Sequence, residues 1–149
     1  MLWRRLREAG LDIEVRELEG PPPTFAGVAA ALGCEPGQIV SSELYVVRAK
    51  PLLVLCAGDR QVDLATLGER AALARPDQVR SATGYVAGGV PPLLLPRPLP
   101  MAVDASLGRF DTVWCSAGVP EARFEIGFAA LLSALPDAEL RELTVAAAR

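Results

Sequence analysis

The 149-residue chain contains no histidine, the residue that most often binds zinc and most often acts as a general base in proteins. Its absence excludes Ser-His-Asp and Cys-His catalysis, together with a conventional catalytic metal site. We therefore expect a functional site without a metal. We also expect no cofactor.

Long apolar runs are also missing, because Pro, Gly or charged residues interrupt every such stretch before the roughly 20 residues that a membrane helix needs. The first eight residues mix charged and apolar side chains and contain no apolar segment of a secretory signal. Both features predict a soluble cytoplasmic protein without a membrane partner.

The charged residues are dominated by acids and arginines. The net charge is -3, and Lys50 is the only lysine among 15 basic residues. This balance predicts no DNA partner and limits any RNA contact to a local patch. The three cysteines, Cys34, Cys56 and Cys115, are odd in number and widely spaced, which favours ordinary reduced thiols.

Hydrophobic residues make up 51% of the chain and charged residues 22%, as expected for a globular protein with a sizeable core. The length suits one domain over residues 1–149. Leu2, Trp3, Leu6 and Ala9 fall on one face of an opening amphipathic helix that Gly10 ends.

Periodicity and turn residues predict a mixed α/β fold. The predicted helices cover residues 25–32, 64–73, 76–83 and 128–135. The predicted strands cover residues 12–18, 39–48, 52–57, 99–104, 112–117 and 123–126. Glycines and prolines make residues 85–98 a loop, and the last residues are ambiguous between strand and helix.

Several stretches together resemble the YbaK-like, prolyl-tRNA-synthetase-associated family of aminoacyl-tRNA editing domains. They are residues 29–33, 36–40, 57–64, 83–92, 99–100, 103–104 and 110–118. The resemblance implies a curved mixed β-sheet of about six or seven strands flanked by helices. It also implies hydrolysis of the ester between a wrong amino acid and the 3′ acceptor end of tRNA, without metal or histidine. An aminoacyl-tRNA synthetase is a possible further partner.

One departure from the family concerns Ser41, which occupies the position of a lysine on which hydrolysis in the family depends. A charged donor to a developing oxyanion is worth roughly twice a neutral one. Lys50, nine residues on, lies in a predicted hairpin turn and is a poor substitute. An acidic residue that some family members carry aligns with Arg123, so its role cannot be transferred.

The resemblance also marks a pocket. Its catalytic positions are Ser41 and the backbone of Gly88 and Gly89, where glycine permits close approach to a ligand. Its substrate-binding positions are Thr24, Ser42, Val90, Pro91, Ser116 and Gly118. Some of these positions have a structural alternative: Thr24 suits a helix N-cap, the glycines suit a tight turn, and Ser116 and Gly118 suit strand-end packing.

Three functions remain open at this point. The chain is a deacylase in which water attacks the ester and Ser41 orients the ligand, a non-catalytic module that binds aminoacyl-tRNA or a small ligand, or an interaction domain that docks on a synthetase. The replacement of lysine by Ser41 favours the second, whereas the otherwise complete pocket pattern favours the first. Of the three we favour the deacylase, because a different amino acid substrate could require a smaller, uncharged side chain at position 41.

Overall fold

The computed structural model describes Arg4, Glu8 and residues 13–20 and 24–147. The predicted opening helix therefore lies mostly outside the described residues. The three helices of the described part are α1 (Phe25–Leu32), α2 (Pro76–Thr83) and α3 (Phe128–Ala134). Its strands are β1 (Val15–Glu17), β2 (Val40–Val47), β3 (Lys50–Ala57), β4 (Arg60–Val62), β5 (Ala72–Leu73), β6 (Met101–Asp104), β7 (Thr112–Ser116), β8 (Ala122–Gly127), β9 (Glu139–Arg141) and β10 (Thr144–Ala146).

The strands form one mixed sheet and two smaller antiparallel ones. The mixed sheet has the order β5-β2-β3-β6-β9, in which β3, β6 and β9 are parallel neighbours. A second sheet has the order β1-β8-β7, and β10 pairs with β4. The predicted mixed α/β class is confirmed, although the strand number was set too low because the four strands that were not predicted, β4, β5, β9 and β10, have only two or three residues each.

The predicted β2/β3 hairpin is confirmed. The strands pair from Val40 opposite Ala57 to Val47 opposite Lys50. Arg48 and Ala49 make the turn with φ of 50° and 65°, the left-handed pair that a two-residue hairpin turn requires. Lys50 is exposed at this turn, at the far end of β2 from Ser41.

Two of the helices begin and end as their sequences predict. The Gly27 amide donates to the Thr24 hydroxyl at 3.0 Å, so Thr24 caps α1. Pro76 opens α2, and Gly84 ends it with a left-handed φ of 78°.

The predicted helix over residues 64–73 is wrong. A single 3-10 turn covers Leu64–Thr66, and Asp63 caps it by accepting from the Ala65 amide. Positive φ values at Gly68 and Arg70 then break the helical path. Residues 72–73 instead form β5, which pairs with β2, so an edge-strand contact overrides local helix propensity.

Alternating side chains of β2 divide the core. Val40 and Leu44 point into the principal apolar cluster with residues of β3, β7 and β8. The residues between them face the other way: Ile39 packs with Trp114 and α1, and Tyr45 packs with residues of β3, β6 and the C-terminal segment. The site described next interrupts this second face.

Candidate functional site

The mixed sheet and the β1-β8-β7 sheet meet at one point. Ile39 and Trp114 form an isolated parallel bridge, beyond which no ladder joins β2 to β7 in the described chain. Continuing the register by two residues sets Ser41 against Ser116. The two serines thus lie just beyond the bridge that joins the sheets.

Both serines lie on the same face. Ser41 follows Ile39 by two residues and Ser116 follows Trp114 by two, and Ile39 packs with Trp114 in one cluster. Arg123 is the cross-strand partner of Ser116, which places it on this face as well. We call Ser41, Glu43, Ser116 and Arg123 the polar strip, because they lie between the Ile39 and Tyr45 clusters.

The glycine loop is attached to the strip through Ser116. Its hydroxyl donates a hydrogen bond to the Gly88 carbonyl at 3.0 Å. Gly88 has φ of 86°, and the Gly89 amide donates to the Val86 carbonyl at 3.0 Å, which fits a type II turn. The Gly89 N–H is thus used by the turn, whereas the Gly88 N–H has no intramolecular partner in the described residues.

Gly89 also needs its missing side chain for packing. A Cβ atom there would lie 2.9 Å from Val119 Cα and 3.0 Å from the Gly118 carbonyl oxygen. Gly118 itself has φ of 103°, a conformation that favours glycine. The predicted wall residue Gly118 therefore touches the predicted loop residue Gly89, and both have structural reasons to be glycine.

On β2, Ser41 is one of a row of hydrogen-bonded polar groups. Its hydroxyl donates to Glu43 Oε1 at 3.1 Å, and the Tyr45 hydroxyl donates to Glu43 Oε2 at 3.4 Å. Burial, with Glu43 and Asp104 nearby, raises the pKa of the neighbouring Cys56 thiol to about 12. Cys56 is therefore a thiol at neutral pH and not a nucleophile.

Arg123 is the cation of the polar strip, and only 6% of its surface is exposed. Its Nη1 donates to the Val40 carbonyl at 3.0 Å, while its buried Nε has no partner among the described residues. Burial lowers the pKa of Arg123, but an arginine retains its charge at neutral pH. The guanidinium thus links β8 to β2.

The remaining predicted substrate-binding residues lie outside the polar strip. Ser42 points to the principal-core side of β2, where its buried hydroxyl lacks a partner among the described residues. Val90 and Pro91 are buried, Val90 within the principal cluster. Thr24 is exposed at the start of α1. Whether any of these contacts a substrate stays a prediction.

A second buried charge lies beyond the strip, at Asp104. Its carboxylate accepts from the Leu143 amide at 2.7 Å, from the Thr144 hydroxyl at 2.8 Å, and from the amide and hydroxyl of Ser106. Burial acts to raise the pKa of Asp104, but these hydrogen bonds outweigh it and leave the pKa below its usual range. This network ties the C-terminal segment to β6.

Two cavities lie elsewhere in the described structure. An apolar one of about 880 Å³ is bounded by the loop after Pro92 and by the end of α3. Another, of about 510 Å³, lies between β2 and α2. None of the predicted site residues lines either of these two.

The described residues contain neither a metal-binding group nor a membrane-spanning helix. Within residues 4, 8, 13–20 and 24–147, no group of three or more acidic or cysteine side chains is arranged to hold a metal ion. Over the same residues, no helix is long and apolar enough to cross a bilayer.

Sequence reasoning missed Glu43 and underused Arg123. The alternation of β2 was sufficient to place Glu43 on the face of Ser41, because residues two apart share a face. For Arg123 the available signal was a charged residue inside a predicted strand, where charges are seldom fully buried without a partner.

Comparison with known proteins identifies the family. The model of the aminoacyl-tRNA editing domain matches residues 20–134. The uncharacterized protein YwhH of Bacillus subtilis (strain 168) is 29% identical over 118 residues, covering 76% of this chain and 75% of YwhH. The multifunctional Ser/Thr-tRNA deacylase ProXp-y of Escherichia coli (strain K12) is 38% identical over 74 residues, covering 46% of this chain and 44% of that protein.

A solved structure agrees with these matches. The crystal structure of a candidate trans-editing enzyme for prolyl-tRNA synthetase superposes with a TM-score of 0.85 at 34% identity, covering 94% of this chain and 92% of the other. The two chains thus share one fold over nearly their whole length. The chain belongs to the aminoacyl-tRNA editing domain family, which confirms the resemblance found in its sequence.

Proposed function

We propose that this chain is a trans-editing deacylase, which hydrolyses the ester joining a wrongly attached amino acid to the 3′ acceptor end of a tRNA. The observation that carries the proposal is the polar strip just beyond the bridge that joins the sheets, next to the Gly88 turn. It offers an acidic and a cationic group on one face of an editing domain.

The strip matches the polarity of an aminoacyl ester. Because the Ser41 hydroxyl donates to Glu43, its lone pairs stay available to accept a hydrogen bond from an α-ammonium group. The Glu43 carboxylate adds charge complementarity to the same group. The ester then extends toward Ser116 and the unpartnered Gly88 N–H.

The reaction needs little beyond orientation and charge stabilisation, because the ester is already activated. A water oxygen adds to the carbonyl carbon, and the C=O electron pair moves onto oxygen. Collapse of this intermediate breaks the bond to the ribose oxygen, which takes up a proton originating from the attacking water. The products are the free amino acid and a tRNA with a free terminal hydroxyl.

Single-turnover deacylation of a panel of mischarged tRNAs tests the proposal. The name of the Escherichia coli relative supports beginning with seryl- and threonyl-tRNA, and that of the solved relative supports tRNA(Pro), with alanyl and cysteinyl forms added. We expect one or more species to decay faster than with heat-denatured protein. Decay at the buffer rate for the whole panel would reject hydrolysis.

A non-catalytic binding module is the second candidate, and Ser41 favours it because a neutral hydroxyl stands where the family has a lysine. Ser41→Lys separates the two. A gain of deacylation from an inactive parent supports the binding module, whereas equal activity in parent and variant supports the deacylase. Filter binding of deacylated tRNA by both proteins controls for a change in affinity.

A further inference from the structure

Arg123 has unused hydrogen-bonding capacity inside the protein. Only 6% of it is exposed, and its Nε lies buried without a partner among the described residues. Buried donors in folded proteins are nearly always paired, because an unpaired one forfeits its hydration. The Nε–H of Arg123 is therefore expected to receive an acceptor from outside the chain.

The surroundings of Arg123 offer no compensating carboxylate among the described residues. Glu125, the next side chain on the same face of β8, instead accepts a hydrogen bond from the Thr112 hydroxyl at 3.1 Å. Across the sheet, Arg16 of β1 lies directly opposite Arg123. The Arg16 guanidinium donates to the Leu32 carbonyl at 3.4 Å and lies over the Trp114 ring, so this neighbour supplies Arg123 with no compensating negative charge.

The position of Arg123 links it to the polar strip. It is opposite Ser116, whose hydroxyl reaches Gly88, and its Nη1 bonds to Val40, the residue before Ser41. The guanidinium is thus anchored at one nitrogen, while its buried Nε is unpaired among the described residues. A planar, fixed guanidinium of this kind is well suited to bind an oxygen in a defined direction.

We propose that Arg123 donates its Nε–H to the ester carbonyl oxygen of the bound aminoacyl end and stabilises the negative charge that forms there as water adds. The inference rests on the proposed deacylase function and assigns it a cation that Ser41 cannot supply. The ester lies at the very 3′ end of the tRNA, so it can enter a buried site. A backbone phosphate is charged and is joined to nucleotides on both sides, so it cannot enter in the same way. Buried oxyanion donors contribute strongly because little solvent competes.

Arg123→Met tests this assignment in single-turnover assays with the most active mischarged tRNA. We expect the saturating rate to fall about 100- to 1000-fold, with little change in the concentration for half-maximal rate. Arg123→Lys keeps the charge but lacks the fixed Nε–H, so it should recover only part of the loss. Arg109→Lys is the matched control, because Arg109 lies in a partly exposed ion pair with Asp59 and should leave the rate unchanged.

Two outcomes would overturn the assignment. A rate for Arg123→Met equal to that of the parent would mean that no reacting atom depends on Arg123. Weaker binding of deacylated tRNA with an unchanged saturating rate would assign the guanidinium to a phosphate instead. Circular dichroism of each variant verifies that the fold is retained.

An NMR measurement on the parent protein separates this inference from the proposed function. The Nε–H resonance of Arg123, assigned by its loss in Arg123→Lys, is followed while an aminoacyl-adenosine with a stable 3′-amide is added, in alanyl and seryl forms. A shift with an amide but not with adenosine supports the carbonyl contact, even if no ester in the panel is hydrolysed. No shift with either amide, while the parent does hydrolyse an ester, rejects Arg123 and leaves the deacylase function standing.

Discussion

Asp104 and Arg123 are both buried charges on strands, yet they differ in how they are satisfied. Asp104 accepts four hydrogen bonds from Ser106, Leu143 and Thr144, while Arg123 makes one to a backbone carbonyl. A fully bonded charge contributes to a unique fold, whereas a half-bonded one is a cost that folding alone does not repay. Asp104 therefore belongs to the framework, by which we mean the residues that stabilise the fold, and Arg123 belongs to the candidate site.

The largest effect should come from removing the framework charge. Asp104→Ala leaves the Leu143 amide buried without an acceptor, so we expect the free energy of unfolding to fall by about 2–4 kcal/mol. Asp59→Ala removes a partly exposed ion pair with Arg109 and should cost at most about 1 kcal/mol. Urea denaturation measures both, and equal losses would break the comparison.

Lowering the pH should have a smaller effect on stability, because it protonates the same Asp104 carboxylate. The pKa of Asp104 is lower in the folded protein, so its carboxylate contributes stability above the unfolded pKa of about 3.9. That contribution is lost as the pH falls through the folded value. Urea midpoints from pH 7 downward should therefore drop less in Asp104→Ala than in the parent, and parallel curves would contradict the assignment.

The smallest change in stability is expected at the site. Arg123→Met exchanges a desolvated guanidinium for an apolar chain, and the lost bond to the Val40 carbonyl offsets the gain. We expect the free energy of unfolding to stay within about 1 kcal/mol of the parent. A loss as large as that of Asp104→Ala would instead make Arg123 a framework residue.

Local signals predicted much of the fold. Alternation in β2, turn chemistry before β3, and glycines after α1 and α2 gave these elements within a few residues of their observed bounds. The failures lie where distant segments decide the outcome. Residues 60–62 become a strand because they pair with residues 144–146, and residues 72–73 because they pair with β2.

The candidate site, like the fold, was predictable from the sequence only in part. The family resemblance drew attention to Ser41, Gly88 and Ser116, and the structure shows that Ser116 bonds Gly88 and that Ser41 shares its face. Their contact with a substrate stays a prediction. The hydrogen-bond partners of Arg123 could not be deduced from the sequence. They depend on which groups of β1, β2 and β8 surround its guanidinium in the folded chain.

The Asp104 network also orders events during protein synthesis. The carboxylate and its Leu143 partner are 39 residues apart in the chain, so a ribosome completes β6 well before it supplies the groups that bind Asp104. Until residues 143 and 144 emerge, the carboxylate must stay hydrated, and β10 is still missing from its sheet. The nascent chain therefore acquires this tertiary closure only after residues 143 and 144 have been synthesised.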